Sequence, residues 1–287
     1  MRNKPPFRPP LSTTLALVSL LAAHASANAA LTEVDIGKTF SYQQTSSGVA
    51  FFGTFFAARA YMQDAADFDG GTLAHPGTAS SNTLAPGADG GGVLVGYQTG
   101  YITPAELSAG YGFGDYAFTA TNSSTLAAQS ATVNYTHDTF TADVPAMAQP
   151  SFLALQGVNA ALPMTVSFNG FTAGAGSDAA YTYFSIFDRT TDNFVFVDGL
   201  LPVTTNTESI AAGTLTAGHA YRYEINFSSR LIGADAGSGL PTQQYFDVRT
   251  FGDFTAAAVP EPGVYALMLA GLGLIDVARR RRKHSRA

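Results

Sequence analysis

The 287-residue sequence predicts an all-β fold with an antiparallel β-sandwich or jelly-roll-like core, on the strength of two observations. Many short runs alternate apolar and polar residues, and turns rich in Gly, Asn, Asp and Pro separate them. The clearest run, AYRYEINFSS, places four apolar side chains on one face of a strand: Tyr221, Tyr223, Ile225 and Phe227. Because few stretches have helical periodicity, sheets must supply the layers that cover the core.

Eight such runs are predicted as strands, at 49–56, 92–101, 130–140, 164–171, 180–188, 193–199, 220–229 and 244–251. One patch, Phe56 to Ala66, combines Ala, Arg, Met and Gln and is the one helix-like stretch; it predicts a short helix, with a simple connection as the alternative. The runs favour a single domain over residues 30–258 rather than two domains. The proline-containing segment 143–151 is the possible internal boundary.

The turn before the clearest strand has a recognisable pattern. The stretch LTAGHAYRYEINF resembles the L-x-P-G-x-x-Y turn that precedes a strand in fibronectin-like sandwiches, with Ala217 where proline is common. In that comparison Tyr221 takes the tyrosine-corner position, and its hydroxyl is expected to bond back to the turn.

The N-terminus has the three parts of a secretory signal peptide over residues 1–29. A basic region with Arg2, Lys4 and Arg8 precedes the apolar stretch 11–23, and the small-residue sequence ASANAA follows. The A-x-A pattern predicts cleavage after Ala27 or Ala29. The alternative is an uncleaved anchor, which the short apolar stretch disfavours.

The C-terminus, residues 259–287, predicts a membrane segment. The apolar stretch 263–278 is about 24 Å long as a helix, just enough to approach the thickness of a bilayer core. A basic cluster follows and is expected to stop transfer and stay cytoplasmic: Arg279, Arg280, Arg281, Arg282 and Lys283. The alternatives are a buried helix with a basic tail and a nucleic-acid-binding tail, and the signal peptide argues against both.

The motif Pro260-Glu261-Pro262, followed by that apolar segment and the arginine cluster, closely resembles the PEP-CTERM sorting signal. The resemblance covers about thirty residues, and one departure is Asp276 inside the apolar segment. It implies recognition by an exosortase-like membrane transpeptidase or protease, which cleaves near Pro-Glu-Pro and passes the protein to the cell surface. A GPI-type signal is the rival interpretation, but such tails normally end with apolar residues.

Charge and cysteine content exclude several classes of function. Nine of the fifteen basic residues lie in the two terminal segments, so residues 28–259 keep six basic residues against nineteen acidic ones. A segment this acidic should repel nucleic acid and anionic lipid head groups. There is no cysteine, which removes disulfides, thiol catalysis and thiolate metal sites.

No catalytic, cofactor or metal site is predicted. Asp64, Asp67 and Asp69 resemble part of a calcium loop, but the bidentate carboxylate at the twelfth position is missing, and an acidic turn is favoured. The histidines His75, His137 and His219 are scattered without metal-ligand spacing, and no G-x-S-x-G motif occurs. The acceptor pattern N-x-[ST] occurs in the core at Asn122, Asn134 and Asn226, and this composition makes chance matches expected.

These features predict an exported surface or extracellular-matrix protein with a non-enzymatic structural or adhesive role, associated with exopolysaccharide. The first alternative is a carbohydrate-binding β-sandwich module. Its candidate binding face is the glycine-rich stretch with Tyr97, Tyr101, Tyr111 and Tyr116. The second alternative is an extracellular hydrolase, which no motif in the sequence supports.

Overall fold

A computed structural model of the chain describes residues 29–79, 82–87, 91–101, 103–257 and the single residue Leu272. Within those residues, no helix is both long enough and apolar enough to cross a bilayer. The predicted signal peptide up to position 28, the Pro-Glu-Pro motif, the apolar segment other than Leu272, and the arginine cluster all lie outside the described residues.

Thirteen strands and two short helices make up the described part of the chain. In order they are β1 (Leu31–Thr45), β2 (Gly48–Met62), β3 (Gly70–Ala74), β4 (Asn82–Pro86), β5 (Val93–Tyr101), α1 (Pro104–Gly110), β6 (Gly114–Thr121), β7 (Ala128–Tyr135), α2 (Gln149–Leu155), β8 (Met164–Ser167), β9 (Ala179–Asp188), β10 (Asn193–Leu201), β11 (Thr207–Ile210), β12 (Ala220–Ala234) and β13 (Pro241–Thr255). The all-β prediction is confirmed.

Eleven of these strands form one sheet in the order β10-β9-β12-β13-β1-β2-β5-β4-β3-β6-β7, and β11 pairs with β8 separately. Among the described strands the neighbours are antiparallel except for β1 and β13, which run parallel with Val34 opposite Thr242. The antiparallel prediction is therefore wrong at this pair. A parallel pair needs a long crossover, and here the chain between the first and last strands supplies it.

The sheet curls so that β7 lies over β1 and β13. The Gln129 side-chain oxygen accepts a hydrogen bond from the Leu31 amide at 2.7 Å, and Gln244 Nε2 donates to the Asn134 carbonyl at 3.1 Å. The sandwich prediction expected two opposed sheets, but eleven of the described strands form one continuous sheet. Its curl and the small β8–β11 sheet provide the second layer.

The core has two clusters of buried side chains, both on the inner face of the sheet. The largest members of the first, inside the curl, are Phe56, Phe68, Tyr111, Tyr116, Phe118, Tyr135 and Phe246. The second lies between β9, β12 and β13 and the layer made by α2, β8 and β11, with Phe152, Phe168, Phe171, Phe184, Tyr221, Tyr223 and Phe227. Each fully buried Phe contributes about 2 kcal/mol of hydrophobic stabilisation.

Each of the eight predicted runs contains part of a strand, but the predicted helix over Phe56 to Ala66 is wrong. That stretch continues β2 as far as Met62 and then turns. Every second side chain, including Phe56, Ala58 and Ala60, is buried, and pairing with β1 and β5 on both sides outweighs the helix propensity of alanine. The internal boundary at 143–151 falls between β7 and β8 and stays a prediction.

The tyrosine corner is confirmed. The Tyr221 hydroxyl accepts a hydrogen bond from the Thr216 amide at 2.6 Å and faces the Thr216 carbonyl at 3.3 Å. The ring is fully buried and lies 5.3 Å from the ring of Phe254. These contacts fix the turn at the start of β12.

The described fold ends just before the Pro-Glu-Pro motif. The Ala257 amide donates to the Val158 carbonyl at 2.8 Å, and the Ala256 amide donates to the His219 carbonyl at 3.2 Å. Every described strand therefore precedes Pro260, and cleavage at that motif would remove none of them.

Candidate binding site on the outer face of the sheet

A shallow cavity of about 200 Å³ opens on the outer face of the sheet, opposite the core clusters. We call it the polar basin; its lining residues are Arg59, Tyr183, Asn226, Ser228, Arg230, Tyr245 and Asp247. They come from β2, β9, β12 and β13, and the carboxylate of Asp35 on β1 lies beside them.

Strand register explains why these residues meet. On β12 and β13, Ser228 lies opposite Asp247 and Arg230 lies opposite Tyr245, so both pairs point to the same face. On β1 and β2, Asp35 lies opposite Arg59. Because side chains alternate along a strand, the polar members of four strands line the basin while their apolar neighbours enter the core.

Several buried polar atoms of this region have no hydrogen-bond partner among the described residues. They are both carboxylate oxygens of Asp35, one oxygen of Asp247, the amide oxygen of Asn226, the hydroxyl of Ser228 and Nε of Arg230. Asp35 and Ser228 are 0% and 1% exposed. Since most buried polar groups in folded proteins are paired, this concentration of unpaired acceptors and donors sets the basin apart from an ordinary sheet surface.

Aromatic rings hold the two arginines in place. The Arg230 guanidinium lies 4.6 Å from the ring centre of Tyr245 and 5.0 Å from that of Tyr181, and it also contacts the Tyr183 hydroxyl. The Arg59 guanidinium lies 5.4 Å from the ring centre of the same Tyr245. Guanidinium groups held against rings keep their remaining N–H donors in a fixed direction.

Burial makes the carboxyl groups of Asp35 and Asp247 weaker acids than usual. It raises the pKa of Asp35 to about 7, although the Arg59 charge and the Tyr61 hydroxyl oppose the rise. Arg59 Nη1 lies 3.6 Å from the Asp35 carboxylate. Burial also raises the pKa of Asp247, although the polar side chains of Ser228 and Asn226 beside it oppose the rise. The basin thus combines two guanidinium groups with two carboxyl groups whose protonated form burial favours, so it carries net positive charge while Asp35 keeps its proton.

The predicted tyrosine face is wrong in two of its four residues. Tyr111 and Tyr116 are fully buried, because both rings pack on Phe56 inside the curl and the Tyr111 hydroxyl bonds to Asn82 at 2.9 Å. Tyr97 is 65% exposed. The side chain of Tyr101 lies outside what the structure describes.

The acidic-turn interpretation of Asp64, Asp67 and Asp69 stays a prediction, and two of these carboxylates bond to backbone amides in turns. One Asp67 oxygen accepts hydrogen bonds from the amides of Asp64 and Ala30, at 3.0 and 3.2 Å. Asp69 accepts two from the Ser123 amide, at 3.0 and 3.1 Å. These carboxylates hold turns together.

The histidines and asparagines singled out in the sequence lie in different surroundings. His75 packs against Tyr111, whereas His219 Nδ1 lies 2.7 Å from an Asp188 oxygen. Asn122 lies in the turn that follows β6, and its side-chain amide nitrogen donates hydrogen bonds to the carbonyls of residues 66 and 67. Only Asn226 belongs to the polar basin.

Sequence reasoning missed the basin entirely. Its arginines alternate with aromatic and aliphatic residues on their strands, as Arg59 does between Ala58 and Ala60, and this alternation is the signal that could have placed them on one face. The neighbours across strands could not be read from the sequence.

Comparison with solved structures gives several distant likenesses. One is a 1.5-MDa bacterial ice-binding adhesin, from a structure that concerns its retention at the host cell surface. It is 14% identical, with a TM-score of 0.22, and the match covers 78% of this chain and 65% of the other. A second is the BSP domain of a biofilm-associated protein, at 10% identity and TM-score 0.21, and the match covers 78% of this chain and 30% of the other. A third is trypsin-activated alpha-2-macroglobulin from Escherichia coli, at 10% identity and TM-score 0.23, and the match covers 76% of this chain and 15% of the other. TM-scores this low assign neither a fold family nor a function.

Sequence comparison identifies the end of the chain. No curated protein matches the chain. The PEP-CTERM protein-sorting motif matches residues 258–283, which include Pro260, Glu261 and Pro262, the apolar segment and the basic cluster. The chain therefore carries a C-terminal PEP-CTERM protein-sorting motif, which implies export and sorting to the cell surface.

Proposed function

We propose that the chain is exported through its N-terminal signal peptide, cleaved near Pro260-Glu261-Pro262 by an exosortase-like membrane enzyme, and released to the surface. There it serves as a non-enzymatic structural or adhesive component of the extracellular matrix, associated with exopolysaccharide. The observation that carries this proposal is the sorting motif at residues 258–283.

The layout of the C-terminal region supports processing at that motif. Pro260 and Pro262 lack backbone N–H donors and favour an extended chain, which suits a strand gripped by a protease. The apolar segment 263–278 and the arginines after it would hold the precursor in the membrane until cleavage. The described fold ends at Ala257, so the domain would leave the membrane with its strands intact.

Cell fractionation of the native host tests the sorting step. Deletion of residues 260–287 is expected to abolish surface display, because the enzyme's recognition segment and the temporary anchor are both removed. A matched control carries Arg189→Ala in the folded domain and keeps the tail. Unchanged surface display of the deleted form would contradict the proposal, and loss of display in the control would point to misfolding.

A second candidate function, saccharide binding, is favoured by the polar basin. The side chains of Asn226 and Asp247 line the cavity and bring acceptors for the hydroxyl donors of a sugar, and Arg59 and Arg230 supply donors to its oxygens. The cavity is smaller than the roughly 300–1,000 Å³ of usual small-molecule pockets, so it suits one sugar ring of a longer chain. Because the two guanidinium groups face carboxyl groups whose protonated form burial favours, a uronic acid fits better than a neutral saccharide.

Isothermal titration with neutral gluco- and galacto-oligosaccharides, and with matching uronic-acid oligosaccharides, checks this function. The uronic-acid series is expected to bind more tightly than the neutral series, and Asn226→Ala is expected to weaken binding about tenfold through one lost hydrogen bond. Asn193→Ala, at an exposed hairpin position, is the control and should bind as the parent does. No binding by either series would reject the function, and a preference for the neutral series would reject the charge argument.

A further inference from the structure

Lys38 is the only lysine between Arg8 and Arg282, and it lies inside the protein. Its side chain is 4% exposed and belongs to the inner face of β1, where it points into the curl. Lysine is almost never fully buried unless it has a partner, so its position demands a specific one.

That partner set lies on the opposite layer. Lys38 Nζ donates to the Tyr135 hydroxyl at 2.7 Å and lies 3.6 Å from an Asp138 carboxylate oxygen. The Tyr135 hydroxyl in turn donates to that same oxygen. An amine on β1 and a carboxyl group just after β7 therefore face each other across the curl, with a hydroxyl bonded to both.

Aromatic rings surround the three groups. The Tyr135 ring lies 5.0 Å from that of Phe113 and 5.9 Å from that of Phe246, and the Lys38 nitrogen lies 4.4 Å from the centre of the Tyr135 ring. Phe140 closes the same side, 5.4 Å from Phe246. Such a wall keeps water away from the amine, whereas the Asp138 side chain is 31% exposed and opens toward solvent.

Burial in this environment favours uncharged partners. It lowers the pKa of Lys38 and raises the pKa of Asp138, although the opposite charge of each group counters the shift of the other. Both shifts raise the share of free amine facing neutral carboxylic acid, which is the reactive pair for amide formation.

We propose that Lys38 and Asp138 condense within the folded domain to form an intramolecular isopeptide bond. The Lys38 nitrogen attacks the Asp138 carboxyl carbon, and a carbon–nitrogen bond forms. The Tyr135 hydroxyl relays the proton from the nitrogen to the departing hydroxyl group. The carbon–oxygen bond then breaks and one water molecule leaves through the exposed side of Asp138. No oxidant or cofactor is required.

The bond would serve a domain that has no cysteine. It would close a loop of 100 residues between positions 38 and 138 and join the two layers of the curl covalently. Cross-links that close long loops are expected to restrict the unfolded chain most. On a cell surface, the link would resist both unfolding and pulling.

Mass spectrometry of the full-length chain, purified in its folded state, tests the bond directly. Chymotryptic peptides 32–40 and 136–140 are expected to appear as one linked species, lighter than their sum by one water molecule. Dehydration of Asp138 alone would give the same mass loss on peptide 136–140 without the link, and this result would overturn the proposal. Separate peptides of unmodified mass from folded protein would overturn it as well.

Amine labelling of the denatured chain gives a second readout. Parent protein is expected to leave Lys38 unlabelled, whereas Asp138→Ala should expose it to the reagent. Asp138→Asn is expected to give the same linked peptide as the parent, now with loss of ammonia. Full labelling of Lys38 in the parent would contradict the bond even if a variant fails to fold.

Discussion

Asp35→Asn is expected to become progressively more stable than the parent protein as the pH rises from 4 to 8. The folded pKa of Asp35 is about 7, above its ordinary value of 3.8, because the carboxyl group is fully buried. Between these two values the unfolded chain has released the proton and the folded protein keeps it, so parent stability falls as the pH rises. A shift of about three units corresponds to about 4 kcal/mol, lost by pH 8.

Denaturant unfolding of both proteins across this pH range measures the effect. Asp35 is not among the charges that shift the pKa of Glu224, so Glu224 titrates alike in parent and variant. The difference between the two curves therefore reports Asp35 together with Asp247, the buried carboxyl group to which it is coupled. Asp69→Asn is a control of opposite sign, since hydrogen bonds from Ser123 lower the pKa of the exposed Asp69. Parallel pH curves for parent and Asp35→Asn would refute the assignment.

Gly174→Ala is expected to destabilise the domain severely. A Cβ at this position would lie 1.7 Å from the carbonyl oxygen of Thr139, which is backbone and can give way only if the chain moves. Overpacking costs about 1–3 kcal/mol where side chains can adjust, and we expect at least the upper end of that range here. The Gly174 amide also bonds to the buried Ser229 hydroxyl at 3.0 Å, and that bond would be strained.

The matched substitution Gly70→Ala separates this contact from the general effect of replacing a glycine. Its Cβ would meet nothing closer than the Leu84 carbonyl at 3.8 Å, so its stability should stay within about 0.5 kcal/mol of the parent. Equal midpoints of thermal unfolding for the two variants would show that the Gly174 contact is not tight. Because Thr139 follows Asp138, Gly174→Ala should also disturb the Lys38 pair.

Strands with a clear two-residue period were predictable from sequence, and strands with buried charge were not. β12 alternates from Tyr221 to Phe227, and the sequence places both it and its tyrosine corner. β1 was missed because Asp35 and Lys38 resemble surface residues, although both are buried in the sheet. The short strands β3, β4 and β11 have too few residues to establish a period, and β6 was also missed.

The polar basin depends on neighbours that no local pattern reveals. Asp35 and Tyr245 meet on one face only because the first and last strands pair in parallel at the centre of the sheet. A tyrosine-rich stretch suggested a binding face at Tyr111, but the curl turned it into core. The sorting motif, in contrast, is read from consecutive residues and needs no tertiary structure.

Intact mass spectrometry of the mature protein, from its native host and from a host lacking exosortase, tests the sorting account most directly. The native form is expected to lack residues 1–27 or 1–29 and the tail from near Pro262, whereas the tail should remain in the mutant host. A tail that is intact in both hosts would contradict the account and leave Pro-Glu-Pro as a rigid spacer before a membrane segment.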